Sequence, residues 1–585
     1  MRKILKKLII LLDRKQKRKM ALIVVLMLIG AMLETLGVSM ILPVMTVIME
    51  KDAVSKYVYL QWICDLFGIA HNDTRTLMIV VMIGFILMFA LKNAFLFLQQ
   101  KVQLKFVYSN QFATSRRMMI NFMKRPYEYY LNADTTVIQR TITSDVNNMY
   151  GLILSLLQLC SESIVFICLI AVCMISDIGM SVTIAILLII VLVVIKYILK
   201  PIMRRAGEEN QDYYSGLFKW IEQSVTGIKE IKIANKESYF IREYSNCGSG
   251  YVNAVQKYNL YNATPRLLIE TAAIAGIMIY LMIRLLNGAE ITSMMPQMTA
   301  FALVAMRLIP CANRMNNYLT SISYFEPFFM GVSDSLQDEI RDESVDYAEA
   351  SYRKDPDVEK MPIREKLELS DIVYHYPNSE ALIFDHADME IPIGRSVGIV
   401  GTTGAGKTTI VDILLGLLKI RNGKILADGK DIRKDYQGFL RNVGYIPQNF
   451  FMIDASIRKN VAFGYADEDI DDEKVWRALR EAQLDEFVRS LPEGLDAGIG
   501  ERGIRISGGQ RQRICIARAL YEDPEVLVLD EATSALDNET EAAIMDSINR
   551  LHGKKTLVII AHRLQTIEKC DMVYRVENGK ISRER

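Results

Sequence analysis

Apolar residues in this chain gather into long unbroken runs over the first half and into short runs over the last third. The long runs lie at about Met20 to Ile48, Leu77 to Phe97, Leu152 to Ile175, Val182 to Leu199, Leu267 to Leu286 and Met294 to Ile309. At about 1.5 Å of rise per residue most of them can cross a hydrocarbon core of about 30 Å, so the pattern predicts six membrane-spanning helices. The sixth is short unless its helix continues past Pro310. Between the runs, segments 98 to 150 and 200 to 265 are polar and long, and they read as helical extensions of the spans that descend and reverse through a short cross-helix. The late short runs are of another kind: Val397 to Val400, Val526 to Leu529 and Thr556 to Ala561 have the length and continuous apolarity of strands buried on both faces, as in a parallel sheet.

The pattern therefore divides the chain. Residues 1–330 form an α-helical membrane domain, 331–364 a charged linker, and 365–585 an α/β domain. Overall composition hides this division, because 585 residues with 51% hydrophobic content and a net charge of +1 average an oily half with a soluble one. Lysine and arginine orient the spans. The first nineteen residues hold nine, 101–150 hold seven and 196–266 hold eleven, whereas 50–76 hold three and 176–181 and 287–293 none. The positive-inside bias places the N-terminus, both long loops and the α/β domain in the cytoplasm. No cleaved signal peptide is expected, since the first span runs past signal length. The eight cysteines show neither metal spacing nor a disulfide framework, and no nucleic-acid partner is expected.

Chemistry enters through the α/β domain. Gly401, Thr402, Thr403, Gly404, Ala405, Gly406, Lys407 and Thr408, followed by Thr409, fit the G-x-x-x-x-G-K-[ST] pattern, with a strand before and the helical run Ile410 to Leu418 after. Glycines let such a loop curl around phosphate oxygens, the amides and helix N-terminus supply positive potential, Lys407 reaches the β/γ-phosphates, and Thr408 can ligate Mg²⁺. Asp530, at the end of the strand Val526 to Leu529, can hold Mg²⁺ in the crevice where α/β sheets bind ligands. Glu531 beside it is the candidate base for the attacking water, Gln448 can reach both metal and water, and His562 can contact the γ-phosphate. ATP and Mg²⁺ are the expected cofactors.

Ordered around that loop, Tyr376, Gln448, Ser507-Gly508-Gly509-Gln510, Asp530, Ser534 to Asp537 and His562 resemble the motif series of the ATP-binding cassette (ABC) proteins. One departure is Ile506, where the family usually has leucine. The resemblance implies that Tyr376 stacks on the base, with Tyr374 two residues earlier as the alternative ring, and that the signature residues Ser507 to Gln510 complete the site of a second copy. A homodimer follows. The long cytoplasmic extensions resemble those of the exporter type, with coupling helices near Asp134 to Arg140 and Tyr214 to Val225, and Glu501 resembles the segment by which exporter cassettes touch their membrane domains.

Ionisable residues within spans carry the substrate reading, because burial in a bilayer is costly and such groups face a cavity or a partner. Lys92 and Arg307 each lie about 20 Å below the outer boundary at helical rise, Arg266 begins span 5 at the inner face, and Arg314 follows Arg307 by seven residues on the same helix face. Fixed cations there suit an anionic headgroup entering from the inner leaflet, and arginine grips phosphate oxygens bidentately. Pairing with Glu270, Glu34 or Glu162 is the structural alternative. Leu33-Glu34-Thr35, Ser39 to Pro43, Pro265-Arg266 and Arg307 to Arg314 resemble stretches of the bacterial flippases of lipid-linked oligosaccharides for protein N-glycosylation. That resemblance implies an ATP-driven flippase in the bacterial inner (plasma) membrane, with membrane lipid and a lipid-linked glycan as partners and a short amphipathic helix over Tyr57 to Ile63 on the outside. Lys92 stands where an arginine is expected, and lysine is only a point charge toward phosphate. An exporter of drugs, peptides or lipid A-like lipids, or an ATPase-gated sensor, are the competing readings.

Overall fold

The computed structural model describes residues 2–39, 58–68, 74–176, 182, 186, 189–190, 193–286, 291–340, 359–377, 379–530, 548, 550–560 and 567–585. The chain divides into two compact units. The first contains residues 1–125 and 133–351; the second contains 352–585 together with the short segment Pro126–Asn132.

The helical unit is built from α1 (Arg2–Leu11), α2 (Arg14–Ser39), α3 (Val58–Phe67), α4 (Thr74–Met123), α6 (Thr135–Arg140), α7 (Val146–Ser176), α8 (Lys200–Thr226), α9 (Ile228–Ala234), α10 (Glu237–Leu286) and α11 (Ile291–Ile340). Among the described residues, three helical stretches, within α4, α6–α7 and α10, are long and apolar enough to cross a membrane. Helices α4, α10 and α11 each run 50 residues, about 75 Å at helical rise, so each span continues far into a polar extension as the hydropathy pattern predicts. Neither Pro265 in α10 nor Pro310 in α11 ends its helix. Helix α3 covers the amphipathic stretch expected between spans 1 and 2, and Trp62, Leu66 and Phe67 on it are exposed. The outer part of span 1 and most of span 4 lie outside the described residues.

Polar contacts join the extensions below the spans. A five-residue π-helical turn, Thr141–Asp145, links α6 to α7. There Asp145, 1% exposed, accepts from Arg140 Nε at 3.2 Å and from Gln211 Nε2 of α8 at 2.8 Å. Such wide turns mark positions where a helix adjusts its register.

In the second unit a six-stranded sheet has the order β10-β9-β3-β8-β7-β6, in which β9 (Met572–Glu577), β3 (Ser396–Val400), β8 (Thr556–Ile560), β7 (Val526–Asp530) and β6 (Val443–Ile446) are parallel and β10 (Lys580–Arg583) closes one edge antiparallel. A second, antiparallel sheet has the order β2-β1-β4-β5, with β1 (Lys366–Tyr374), β2 (Phe384–Pro392), β4 (Asn422–Ala427) and β5 (Lys430–Asp431). All five residues of β3, of β7 and of β8 are buried. Their alternation splits the core: Val397, Ile399, Val526, Val528 and Val558 join the cluster under the antiparallel sheet, while Leu527, Leu529, Leu557 and Ile559 join the cluster under the helices of residues 457–520. Parallel pairing brings the carboxyl ends of β3 and β7 to one edge of the sheet.

The segment Pro126–Asn132 carries α5 (Tyr127–Tyr130). Its Glu128 Oε1 accepts the backbone N–H of Lys419 at 2.7 Å. The part of the first loop that packs into the second unit therefore lies just ahead of Asp134 to Arg140.

Candidate functional site

The phosphate loop follows β3 directly and opens into helix α12 (Lys407–Leu414). Two of its glycines are required by geometry. A Cβ on Gly401 would approach the carbonyl oxygen of Val576 to 2.5 Å, and Gly406, at the N-cap of α12, has φ +101°, where side-chained residues are strained. Lys407 is 5% exposed and curls back over the loop, its Nζ donating to the carbonyls of Gly401 at 3.1 Å and Thr402 at 3.2 Å. An ammonium held above a ring of backbone groups at a helix N-terminus is a cradle for phosphate oxygens, so the donor set fits ATP.

At the same sheet edge, Asp530 ends β7 with its carboxylate 3% exposed, and Tyr445 of β6 donates to its Oδ2 at 3.4 Å. A strand-end carboxylate at the edge where the phosphate loop also emerges fits a hard cation such as Mg²⁺. Gln448 follows the end of β6 on an exposed loop. Neither Glu531 nor His562 is among the described residues; the strands that precede them, β7 and β8, are.

The Tyr376 hydroxyl lies 2.9 Å from Thr409 Oγ1, tying the aromatic ring after β1 to the helix that follows the phosphate loop. Tyr374, the alternative stacking ring, is 1% exposed and packed in the core, edge-on to Tyr376 with centroids 5.4 Å apart. Tyr376 is only half-buried.

Ser507 caps helix α13 (Gly508–Leu520). Its Oγ accepts the N–H of Gln510 at 3.3 Å while Gln510 Oε1 accepts the N–H of Ser507 at 2.8 Å. The signature is therefore also a reciprocal capping box, which fixes the first turn of α13 and the direction of its amides. Glu501 lies exposed in the short 3₁₀ turn Glu501–Gly503 ahead of it.

Sequence reasoning missed Asp412. This residue of α12 is raised to about 6 from a usual 3.8, first by burial and then by the neighbouring Asp530 carboxylate. Tyr445 is likewise pushed up by burial and by Asp530. The signal available was an acidic residue in the apolar run after the phosphate loop, a position where a carboxylate needs a reason.

In the helical unit the four candidate cations have different surroundings. Arg314 of α11 is held bidentately by Glu162 of α7, Nε to Oε1 at 2.6 Å and Nη2 to Oε2 at 3.0 Å, with 42% of its side chain exposed. Arg266 pairs with Glu270 one turn on, 3.1 Å away, and both are exposed. Lys92 is 3% exposed, its ammonium 4.3 Å from the Phe89 ring centroid. The Arg307 side chain lies outside the described residues.

Comparison with known proteins follows this geometry. Residues 384–534 match the ABC transporter family and residues 20–304 its transmembrane region. The chain is 31% identical over 459 residues to an uncharacterised ABC transporter ATP-binding protein, YfiC, of Bacillus subtilis (strain 168), covering 75% of this chain and 71% of that protein. It is 42% identical over 217 residues to an ATP-dependent lipid A-core flippase of Pectobacterium atrosepticum, a match that spans 37% of the length of each. A solved structure of a bacterial Atm1-family ABC exporter with ATP bound superposes with a TM-score of 0.74 over 97% of this chain and 94% of that one, at 21% identity.

Proposed function

The chain belongs to the ABC transporter family, and on that premise we propose that it is an ATP-hydrolysing flippase that moves a polyprenyl-diphosphate-linked oligosaccharide from the inner to the outer leaflet as a homodimer. The observation that carries the substrate assignment is Arg314. Glu162 takes two of its nitrogens and fixes the plane of the guanidinium, while nearly half of the side chain remains exposed. A pre-oriented arginine loses little entropy on meeting a phosphate, and it sits seven residues from Arg307 on one helix face. Arg266 and Lys92 add positive potential.

In the ATPase unit, Tyr376 stacks on the base, the loop Gly401 to Thr409 and Lys407 hold the phosphates, and Thr408, Gln448 and Asp530 are the groups that hold Mg²⁺. That ion neutralises charge on the β- and γ-phosphates when bound. Glu531 orients the attacking water and His562 meets the γ-phosphate. Ser507 and the amides of Gly508 and Gly509, with Gln510, serve the site of the partner copy, so two chains make two sites. The N-terminus and the ATPase unit lie in the cytoplasm, and the membrane is the bacterial inner membrane.

A second reading has support of its own, since the 42% identical relative is a lipid A-core flippase. Both ligands are phosphorylated glycolipids. Proteoliposomes carrying fluorescent polyprenyl-diphosphate glycan or lipid A-core, with ATP supplied outside, distinguish them by accessibility of the label: ATP-dependent movement of the first alone is expected, and movement of the second alone overturns the assignment.

A further inference from the structure

Tyr374 of β1 and Tyr445 of β6 pack in one core cluster, under the antiparallel sheet, and their hydroxyls fare differently. Tyr374 is buried, and among the described residues its hydroxyl has no hydrogen-bond partner. The hydroxyl of Tyr445 donates to Oδ2 of Asp530 at 3.4 Å. Phenylalanine would serve the packing at either position, since only the hydroxyl distinguishes the two side chains. At 374 the hydroxyl has no task in the structure; at 445 it is aimed at the carboxylate that ends β7.

The backbone sets this meeting. Tyr445 is paired with Val528 in the parallel register of β6 and β7, and side chains alternate along a strand, so Tyr445, Val528 and Asp530 stand on one face of the sheet. The ring of Tyr445 is held by the core, and its oxygen is therefore carried by a strand rather than by a loop. Asp530 is the last residue of its own strand, and a carboxylate can turn about two side-chain bonds. Helix α12 lies against β7 and brings Asp412, whose carboxylate is close enough for the two charges to repel. A donor on Asp530 opposes that repulsion and fixes one of its oxygens, and the phenol of Tyr445 does both.

We propose that Tyr445 is a positioning residue for the metal carboxylate: through its O–H it holds Asp530 in the orientation in which that group takes Mg²⁺ at the ATP site. Ligating carboxylates are themselves hydrogen-bonded, and loss of such an outer partner costs about 10- to 100-fold in metal affinity. The bond of Tyr445 is long for a hydroxyl donor, which places the expected cost at the lower end of that range. The inference rests on the reading of Asp530 as the carboxylate that holds the metal. It adds a residue outside the motif series, one that acts through Asp530 and sets how tightly the metal is held.

The test uses full-length protein in nanodiscs with the non-hydrolysable nucleotide AMP-PNP, and Mn²⁺ as the probe, its free concentration read by electron paramagnetic resonance. Tyr445→Phe keeps the ring and is expected to weaken Mn²⁺ about tenfold, while AMP-PNP binding in EDTA stays within about twofold and the melting temperature in EDTA is unchanged. In turnover the KM for Mg²⁺ should rise by about the same factor, with kcat at saturating Mg²⁺ within about twofold of wild type. Tyr374→Phe, which removes the hydroxyl without a partner, should leave Mn²⁺ affinity as it is. p-Aminophenylalanine at 445 restores a donor on the same ring and should return the affinity to within about twofold of wild type. Wild-type Mn²⁺ affinity in Tyr445→Phe, or no recovery with p-aminophenylalanine, overturns the proposal. So does a Tyr445→Phe protein that fails to fold or that loses metal, nucleotide and melting temperature together, since the hydroxyl would then belong to the packing. Asp530→Asn separates the proposal from the reading beneath it. If that variant binds Mn²⁺ as the wild type does, the metal reading of Asp530 fails; if it loses Mn²⁺ while Tyr445→Phe keeps it, the reading stands and the positioning role alone falls.

Discussion

The two units treat buried polar groups differently. In the ATPase unit backbone groups meet many polar side chains: the half-buried Asp428 accepts three successive N–H groups, of Arg364, Glu365 and Lys366, and Asn442, fully buried, bonds the carbonyl of Met361, the carboxylate of Glu525 and the N–H of Glu525. In the helical unit the helices consume their own backbone N–H groups, so side chains turn to other side chains or to a helix carbonyl that can accept a second bond, as Asn121 does with that of Ser335. Arg314 finds Glu162; the amide of Asn316 and the amide oxygens of Asn313 and Asn317 find no hydrogen-bond partner among the described residues. The fixed site is thus built on loops and strand ends, and the more adaptable side chains stand on helix faces.

The sharpest way to break this contrast is at the fixed site. Glu531→Gln keeps shape and removes charge, so ATP should still bind while turnover falls by about 10²-fold or more, the scale of a lost catalytic base. Near-normal hydrolysis in that variant removes the assignment. Next in size is the substitution of Tyr376. Tyr376→Ala should raise the KM for ATP by roughly tenfold, in keeping with about 1–3 kcal/mol for a base stacked on an aromatic ring. Tyr376→Phe, which loses only the contact with Thr409, should stay within about twofold. Equal KM for wild type and Tyr376→Ala would mean that another ring holds the base.

On the adaptable side, Arg314→Ala leaves the Glu162 carboxylate without its bidentate partner and should lower stability by about 1–3 kcal/mol. Adding Glu162→Gln should recover most of the melting temperature but not flipping. Recovery of both would make the pair purely structural. The smallest effect concerns pH. Burial pushes Asp571 up, but hydrogen bonds from the N–H and hydroxyl of Ser396 and from His552 outweigh it and hold the carboxyl below its usual 3.8. A depressed folded value gives stability that is present above 3.8 and lost as the pH falls through the folded value. Asp571→Asn should therefore melt below the wild type at pH 7, by a gap that closes below about pH 4. A gap constant down to pH 3 would assign the effect to shape alone.

How far the sequence could be read follows the same division. The phosphate loop, the strand ending at Asp530 and the signature run Ser507 to Gln510 were legible because each is a local pattern set within a few residues, although the capping box that the signature forms was not read from it. The long helices were legible from hydropathy, and their continuation through Pro310 was the open question that packing answered. Asp412 was not legible, because its burial and its nearness to Asp530 depend on strands more than a hundred residues away. Nor was the choice of Glu162 over Glu34 as the bidentate partner of Arg314, nor the amide cluster: a helix-face pattern tells which residues share a side and leaves open what stands opposite.

One short stretch carries a lesson for engineering. Pro126–Asn132 comes from the loop between two long helices, yet it is packed as a part of the ATPase unit, with Glu128 receiving the N–H of Lys419. The ATPase unit is therefore discontinuous in sequence. A gene fragment cut at the linker delivers an incomplete body, and a chimaera that exchanges residues 365–585 with a relative brings a new surface to meet an old α5. Transplants that carry 126–132 along with the cassette keep the original seam, so modular exchange in this chain is a matter of two splice junctions more than the domain map suggests.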